Sequence, residues 1–249
     1  MKNILLPILA TLIISTPMTL TAKDGNWGYT GNIAPKHWSN LSPDYALCSG
    51  KNQSPINILP NEARNSIKRG LKFNYGRLDP IRMTNTGKQL QIDVASGAGI
   101  KIDGIDFELK HLSFHVPSEH TYNNKNFPME IQFAHQSKDG QLAYVALMVT
   151  IGKSSRTLRK LQQQLPMNVG ESKQLAANAL RNLEKKKKVI NYYRYSGSLT
   201  SPPCNEGVRW FIMNQPLKIS KAHLQQFKRA LKQNNNRPIQ ALNARVILK

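Results

Sequence analysis

Two stretches in the middle of the chain alternate apolar and polar residues with a period of two, residues 107–120 (FELKHLSFHVPSEH) and 127–136 (FPMEIQFAHQ). Side chains two apart on a strand share a face. Leu112, Phe114 and Val116 therefore point one way and His111, Ser113 and His115 the other. On the second stretch Glu130, Gln132 and Ala134 share a face. Polar side chains on one face of strands whose other face is apolar predict the floor of a polar cavity.

The same pattern continues on either side. From 71 to 116 short alternating runs are broken by Gly76, Gly87, Gly97 with Gly99, and Gly104, which predicts antiparallel strands joined by tight turns. Residues 141–151 (QLAYVALMVTI) are almost continuously apolar, as a strand buried on both faces is. Helical spacing appears only late. Ser154 or Ser155 caps a helix carrying Leu158, Leu161 and Leu165 and ended by Pro166. Ser172 starts a second through Leu175, Ala176, Leu180 and Leu183. Ser220 caps a third, with Leu224, Phe227 and Leu231 inward and Lys221, Lys228 and Lys232 outward. Residues 24–52, rich in Gly, Asn, Pro and aromatics, predict an irregular N-terminal lobe packed by Trp27, Tyr29 and Trp38, in which His37 is structural. Neither a repeat nor a dividing linker is visible. The expected fold is mainly β with peripheral helices, a single domain around a large, mostly antiparallel twisted sheet.

Composition adds location and charge. Residues 1–22 hold one lysine, a short apolar run interrupted by Pro17, and a small residue at Ala22. That is a secretory signal peptide rather than a membrane anchor, so the domain is expected over 23–249, exported to the periplasm or beyond, with no transmembrane segment in the mature chain. The formal net charge is +21, and because the leader contributes only Lys2 the mature chain carries about +20. An excess of this size attracts polyanions. Basic residues cluster at 64–72, 156–160, 185–188 and 218–232, but nothing resembles a nucleic-acid module. In an oxidising compartment the two cysteines, Cys48 and Cys204, are expected to pair; the alternative is two unrelated buried thiols.

Together with Trp27-Gly28-Tyr29, QSPINI (53–58), SGSLTSPPCNEGVRW (196–210) and the C-terminal Arg245-Val246-Ile247-Leu248, the two central stretches make the chain resemble an α-class carbonic anhydrase of the bacterial, exported type. The resemblance implies a catalytic zinc held by three histidines, two on the first strand and one on the second. The matching positions are Ser113, His115 and Gln132. Zinc suits imidazoles, whereas a hydroxyl and a carboxamide are weak uncharged donors. His111 lies about 13 Å from His115 along an extended strand and matches a hydrogen-bonded position beside the metal shell. Glu130 matches the carboxylate that orients the third histidine and could turn inward as a substitute ligand. His120 and His135 fall at structural or outward-facing positions.

The resemblance also places Glu119 and Thr200 as the pair that orients the metal-bound hydroxide. Lys88 stands where the family has a proton-shuttling histidine, and an amine with an ordinary pKa near 10.4 passes protons poorly near neutrality. Leu199 and Trp210 line the apolar side of the pocket, and Tyr144 replaces a small aliphatic residue there. Bacterial members carry a cysteine pair at positions 48 and 204. The expectation is a carbonic anhydrase-like scaffold without zinc-dependent CO2 hydration and with no cofactor. It would act by binding an anionic partner such as an acidic polysaccharide or envelope glycolipid, as other zinc-less members bind or store. The alternative is an active carbonic anhydrase with an atypical metal shell. A hydrolytic use of Glu119, Thr200 and His115 has no specific nucleophile arrangement behind it.

Overall fold

The two alternating stretches pair with each other, and the rest of the sheet is built outward from them. The computed structural model describes residues 26–66, 70–75, 79–177, 179–180 and 191–249. The leader, Gly76 and the lysine run at 185–188 lie outside these residues. In chain order the strands are β1 (Asn57–Ile58), β2 (Lys72–Asn74), β3 (Pro80–Asn85), β4 (Leu90–Val94), β5 (Gly99–Ile102), β6 (Ile105–His115), β7 (Thr121–Tyr122), β8 (Lys125–Asn126), β9 (Met129–Ser137), β10 (Leu142–Ile151), β11 (Ser172–Gln174), β12 (Tyr192–Ser198) and β13 (Glu206–Ile219). The large sheet runs β11-β3-β4-β6-β9-β10-β13-β12, with β2 and β5 joined through β6. Every pair in it is antiparallel except β10 with β13. A small second sheet holds β1, β7 and β8.

The apolar faces are where the alternation puts them. Leu112 and Phe114 of β6 join Ile131 and Phe133 of β9 in the larger core, which the helices cover with Leu158, Leu161, Leu224 and Phe227. On the opposite face Ala146, Met148, Trp210 and Ile212 pack with Ile56 and Ile58 in a second cluster. β10 contributes to both, which is why its sequence shows no alternation.

Two of the three expected helices form. α1 (Trp38–Leu41) is a single turn in the N-terminal lobe. In α2 (Arg156–Gln162) the Ser155 hydroxyl accepts from the Leu158 amide, and in α3 (Lys221–Leu231) the Ser220 hydroxyl accepts from the His223 amide. The helix expected from Ser172 does not start there. Residues 172–174 are instead the edge strand β11, with Ser172 opposite Thr84 and Gln174 opposite Arg82. Pairing with β3 satisfies the backbone that a helix would have used internally, and Thr84 and Ser172 join through their hydroxyls at 2.7 Å.

Trp27, Tyr29 and Trp38 meet edge to face with centroids 5.2–5.8 Å apart, as the lobe composition suggests. Cys48 and Cys204 form a disulfide across 156 residues, tying this lobe to the turn before β13. Closing a loop of that length stabilises the fold by roughly 3–5 kcal/mol on the chain-entropy account. No helix among the described residues is long and apolar enough to cross a membrane.

Candidate functional site

The register of β6 against β9 sets Ser113 directly opposite Gln132 and His115 opposite Glu130. The β9–β10 pairing brings Tyr144 opposite Ala134, and the parallel β10–β13 pairing sets Tyr144 beside Trp210. Sequence-distant residues thus meet at one place on the sheet. Ser113, His115, Glu119, Glu130, Gln132 and Thr200 are all buried there.

His115 is oriented by its backbone surroundings. Its Nδ1 lies 2.8 Å from the Asn235 carbonyl, which only accepts, so Nδ1 carries the proton. In the neutral ring Nε2 is then the acceptor, and Ser113 Oγ stands 3.3 Å from it. Gln132 spends its amide nitrogen on two carboxylates, donating to Glu119 Oε2 at 2.7 Å and to Glu130 Oε1 at 2.9 Å. The other Glu119 oxygen accepts from the Arg237 amide at 3.0 Å. Glu119 is therefore held by Gln132 and Arg237, and among the described residues no hydrogen bond joins it to Thr200, contrary to the pairing the resemblance implies. A carboxamide reaches the carboxylate that an imidazole at 132 would leave open, and this closes the network.

Glu130 does not turn inward as a substitute ligand. Its Oε2 accepts from the amides of Glu119 and His120 at 3.0 and 2.9 Å, and its Oε1 accepts from His120 Nδ1 at 2.9 Å as well as from Gln132. Burial pushes this carboxyl up, but the His120 charge and hydrogen bonds, helped by His115, outweigh it and bring the pKa down to about 2. The chain continues through His120 Nε2 to the Tyr195 hydroxyl at 2.7 Å and on to Ser54 Oγ at 2.8 Å. His120 is thus a buried bridge, which makes it one of the structural residues and not an outward-facing one.

The other expected site residues take these positions. Tyr144 lies against Trp210 with centroids 4.9 Å apart, and both Tyr144 and Leu199 pack on the cluster that contains Trp210. Burial, with the Glu119 charge adding to it, pushes the Tyr144 phenol up to about 12. A large ring thus packs on the apolar cluster beside the site. The Lys88 ammonium sits 4.3 Å from the centroid of the Trp27 ring, a cation–π contact. His111 is opposite Asp93 on β4, but among the described residues its ring makes no hydrogen bond. The Asp93 oxygens are taken by Arg82 at 2.9 Å and Gln91 at 2.9 Å, which leaves His111 without the hydrogen-bonded role expected of it.

Two residues with large parts in the site carry no signal in the sequence pattern, Asn235 and Arg237. Asn235 orients His115 through its carbonyl, while its side chain accepts from the Val116 amide and donates to the Phe114 and Lys88 carbonyls. Arg237 is fully buried and donates to Gln53 Oε1 and to the carbonyls of Ser54 and Cys48. Both lie in a polar run after α3 that reads locally as a loop.

His135, on the same strand, titrates with a measurable consequence. It is buried, with Nδ1 3.3 Å from the Ala143 carbonyl and Nε2 3.0 Å from the Tyr75 hydroxyl. Burial, only partly offset by backbone hydrogen bonds, lowers its pKa from 6.5 to about 3. A lowered histidine means that the unfolded chain takes the proton first. Stability conferred by the neutral ring is complete above pH 6.5 and declines as pH falls from 6.5 towards 3, by roughly 4–5 kcal/mol over the window. In urea unfolding between pH 7 and 3.5, His135→Gln is expected to flatten this dependence; an unchanged slope would show that another group supplies it.

The described residues contain no group of three or more His, Cys, Asp or Glu side chains placed to hold a metal ion. The chemistry of the donors agrees with that: one imidazole nitrogen, one hydroxyl, and a carboxamide whose nitrogen is committed to two carboxylates do not fit a catalytic zinc.

The sequence model of the eukaryotic-type carbonic anhydrase family matches residues 33–249. A carbonic anhydrase from Pectobacterium atrosepticum is 38% identical over 243 residues, covering 95% of this chain and 96% of that one. The solved α-carbonic anhydrase of Thermovibrio ammonificans, in complex with the inhibitor sulfanilamide, superposes with a TM-score of 0.84 at 36% identity, covering 90% of this chain and 99% of that one. A structure of dioscorin complexed with ascorbate superposes with a TM-score of 0.77 at 29% identity, covering 90% and 97%.

Proposed function

The chain belongs to the eukaryotic-type carbonic anhydrase family, and from that premise we propose that it has kept the scaffold while exchanging the zinc-dependent reaction for binding of an anionic partner. One observation carries the loss of the reaction: Gln132 donates to both Glu119 and Glu130 from the position where the family's third histidine belongs. Each buried carboxylate receives a hydrogen bond there that a metal-bound imidazole would not supply in duplicate. Tyr144 against Trp210, and Lys88 over Trp27, extend the change to the CO2 pocket and the proton path. The gain of binding rests on the net charge of +21 for the whole chain. Dioscorin with ascorbate offers an analogy, a similar fold in complex with a small molecule.

A second reading, an active carbonic anhydrase with an atypical metal shell, has the relatives on its side, because a protein named carbonic anhydrase aligns over 95% of the chain. The two are separated by elemental analysis of the native protein after dialysis, alongside a CO2 hydration assay. The proposal expects well under about 0.1 zinc per chain and no hydration above the uncatalysed rate. About one zinc per chain with hydration abolished by a chelator would overturn it and establish the second reading.

A further inference from the structure

Residues 140–170 and 207–249 contain no aspartate or glutamate, so all 14 acidic residues lie elsewhere in the chain. The fold brings these two acid-free segments together. Ser154 Oγ pairs with His223 Nδ1 at 2.8 Å and accepts from the Ser220 amide at 2.7 Å, while the Ser155 amide donates to the Lys218 carbonyl at 2.9 Å. α2 and α3 therefore start side by side and pack against each other. Their first residues, Arg156 and Lys221, are both exposed, and neither helix has an acidic residue in its first turn, although negative charge is the favourable sign there.

The outer stripe of α3 repeats the pattern. Lys221, Lys228 and Lys232 are exposed, about 10 Å and about 6 Å apart along the axis at 1.5 Å per residue. Like charges four apart repel by a few tenths of a kcal/mol, and an exposed helix ordinarily relieves this with interleaved glutamates. Here none is present. Among the described residues, Arg156, Arg159, Lys218, Lys221, Lys228 and Lys232 form no salt bridge, whereas Arg82, Lys101, Lys110 and Lys173, outside the two segments, each do, as does Arg209 on β13, away from the two helices.

We propose that this acid-free face of α2 and α3 is the docking surface for a linear acidic polysaccharide bearing carboxylate or sulfate groups. The inference rests on the anion-binding reading above and gives it a place. Charge complementarity selects a polyanion. The apolar side chains of α3, Leu224, Phe227 and Leu231, are turned into the core, so the face offers no apolar anchor of the kind a helix uses to enter a lipid surface. It carries no aromatic residue on which a nucleic-acid base would stack. A row of separated cations suits a hydrated chain with regularly spaced charges.

The test compares binding of the full-length mature protein to immobilised heparin and to alginate, over a range of salt. One variant is R156Q/R159Q/K221Q/K228Q/K232Q. A control, K36Q/K51Q/K72Q/K125Q/K138Q, removes the same charge from exposed lysines elsewhere. All the substitutions are on exposed side chains, and thermal melting checks that both variants are folded. The face variant is expected to lose at least about tenfold in affinity for both polymers at 0.1 M salt, with a shallower dependence of log K on log salt, while the control stays within about threefold. Equal losses in the two variants would overturn the assignment by showing that net charge alone is read. No retention of the unaltered protein would overturn the anion-binding reading itself. Tighter binding to vesicles rich in anionic lipid or to duplex DNA than to either polysaccharide would overturn the choice of partner.

Discussion

The S113H/Q132H variant is expected to carry about one zinc per chain, and the unaltered protein well under about 0.1. The sheet register makes this a large effect. Ser113 and Gln132 are directly opposite, and His115 shares the Ser113 face with Nδ1 already tied to the Asn235 carbonyl and Nε2 aimed at residue 113. Two imidazoles added there complete a three-nitrogen donor set with an open fourth position. Glu130 is already in place to accept from one nitrogen of an imidazole at 132, the support that orients metal-binding histidines.

Turnover should lag behind metal content. Tyr144 still lies against Trp210, and Lys88 still lies over Trp27 at the position the resemblance gives to a proton-shuttling histidine. Adding Y144V is expected to raise kcat/KM for hydration by about a further tenfold, equivalent to about 1.4 kcal/mol of barrier. Zinc content by elemental analysis and hydration by stopped flow measure the two quantities separately. A double variant that folds and stays metal-free would mean that the backbone itself has moved away from the metal geometry.

Glu130→Ala is expected to be among the most damaging single changes in the protein. The carboxylate accepts from two backbone amides, from His120 Nδ1 and from Gln132, all buried. Removing it leaves four donors unmatched, each worth about 1 kcal/mol or more, so a loss of at least about 4 kcal/mol is expected. For a domain of this size that lowers Tm by roughly 8–16 °C.

The same group makes an acid-side prediction. A carboxyl held down to about 2 contributes stability that is complete above its ordinary value of 4.5 and is lost as pH falls from 4.5 through 2, roughly 3 kcal/mol in all. This window overlaps the lower part of the His135 window, so the two contributions add below pH 4.5 and the fall in unfolding free energy should steepen there. Glu130→Gln keeps one acceptor but turns an amide against the backbone donors. It should remove the added steepness below pH 4.5 while leaving the slope above it.

Much of this was legible in the chain. Alternation alone assigns residues 107–120 and 127–136 to strands, which the structure narrows to ends at His115 and Met129, and sorts Leu112 and Phe114 from Ser113 and His115, because a pleat permits only two faces. The nearly unbroken run at 141–151 marks a strand covered on both sides, and the serines at 154–155 and Ser220 mark two helix starts through their capping chemistry, the structure choosing Ser155 of the first pair. At Ser172 the same local signal misleads. A serine before spaced leucines is compatible with a helix, yet a free sheet edge beside it was the stronger competitor for its backbone.

Residue identity in a fixed order was enough to read the family, the pairing of Cys48 with Cys204 and the residue types at 113, 115 and 132. What those residues touch follows only from the fold. Gln132 ties Glu119 to Glu130, and Asn235 and Arg237 reach the site from a loop more than 100 residues away. Likewise α2 and α3, far apart in the chain, bring two acid-free segments into one surface. Hydrogen bonds and electric fields act over a few ångströms of space, and a period along the chain records which face a residue lies on, not which distant partner that face will meet.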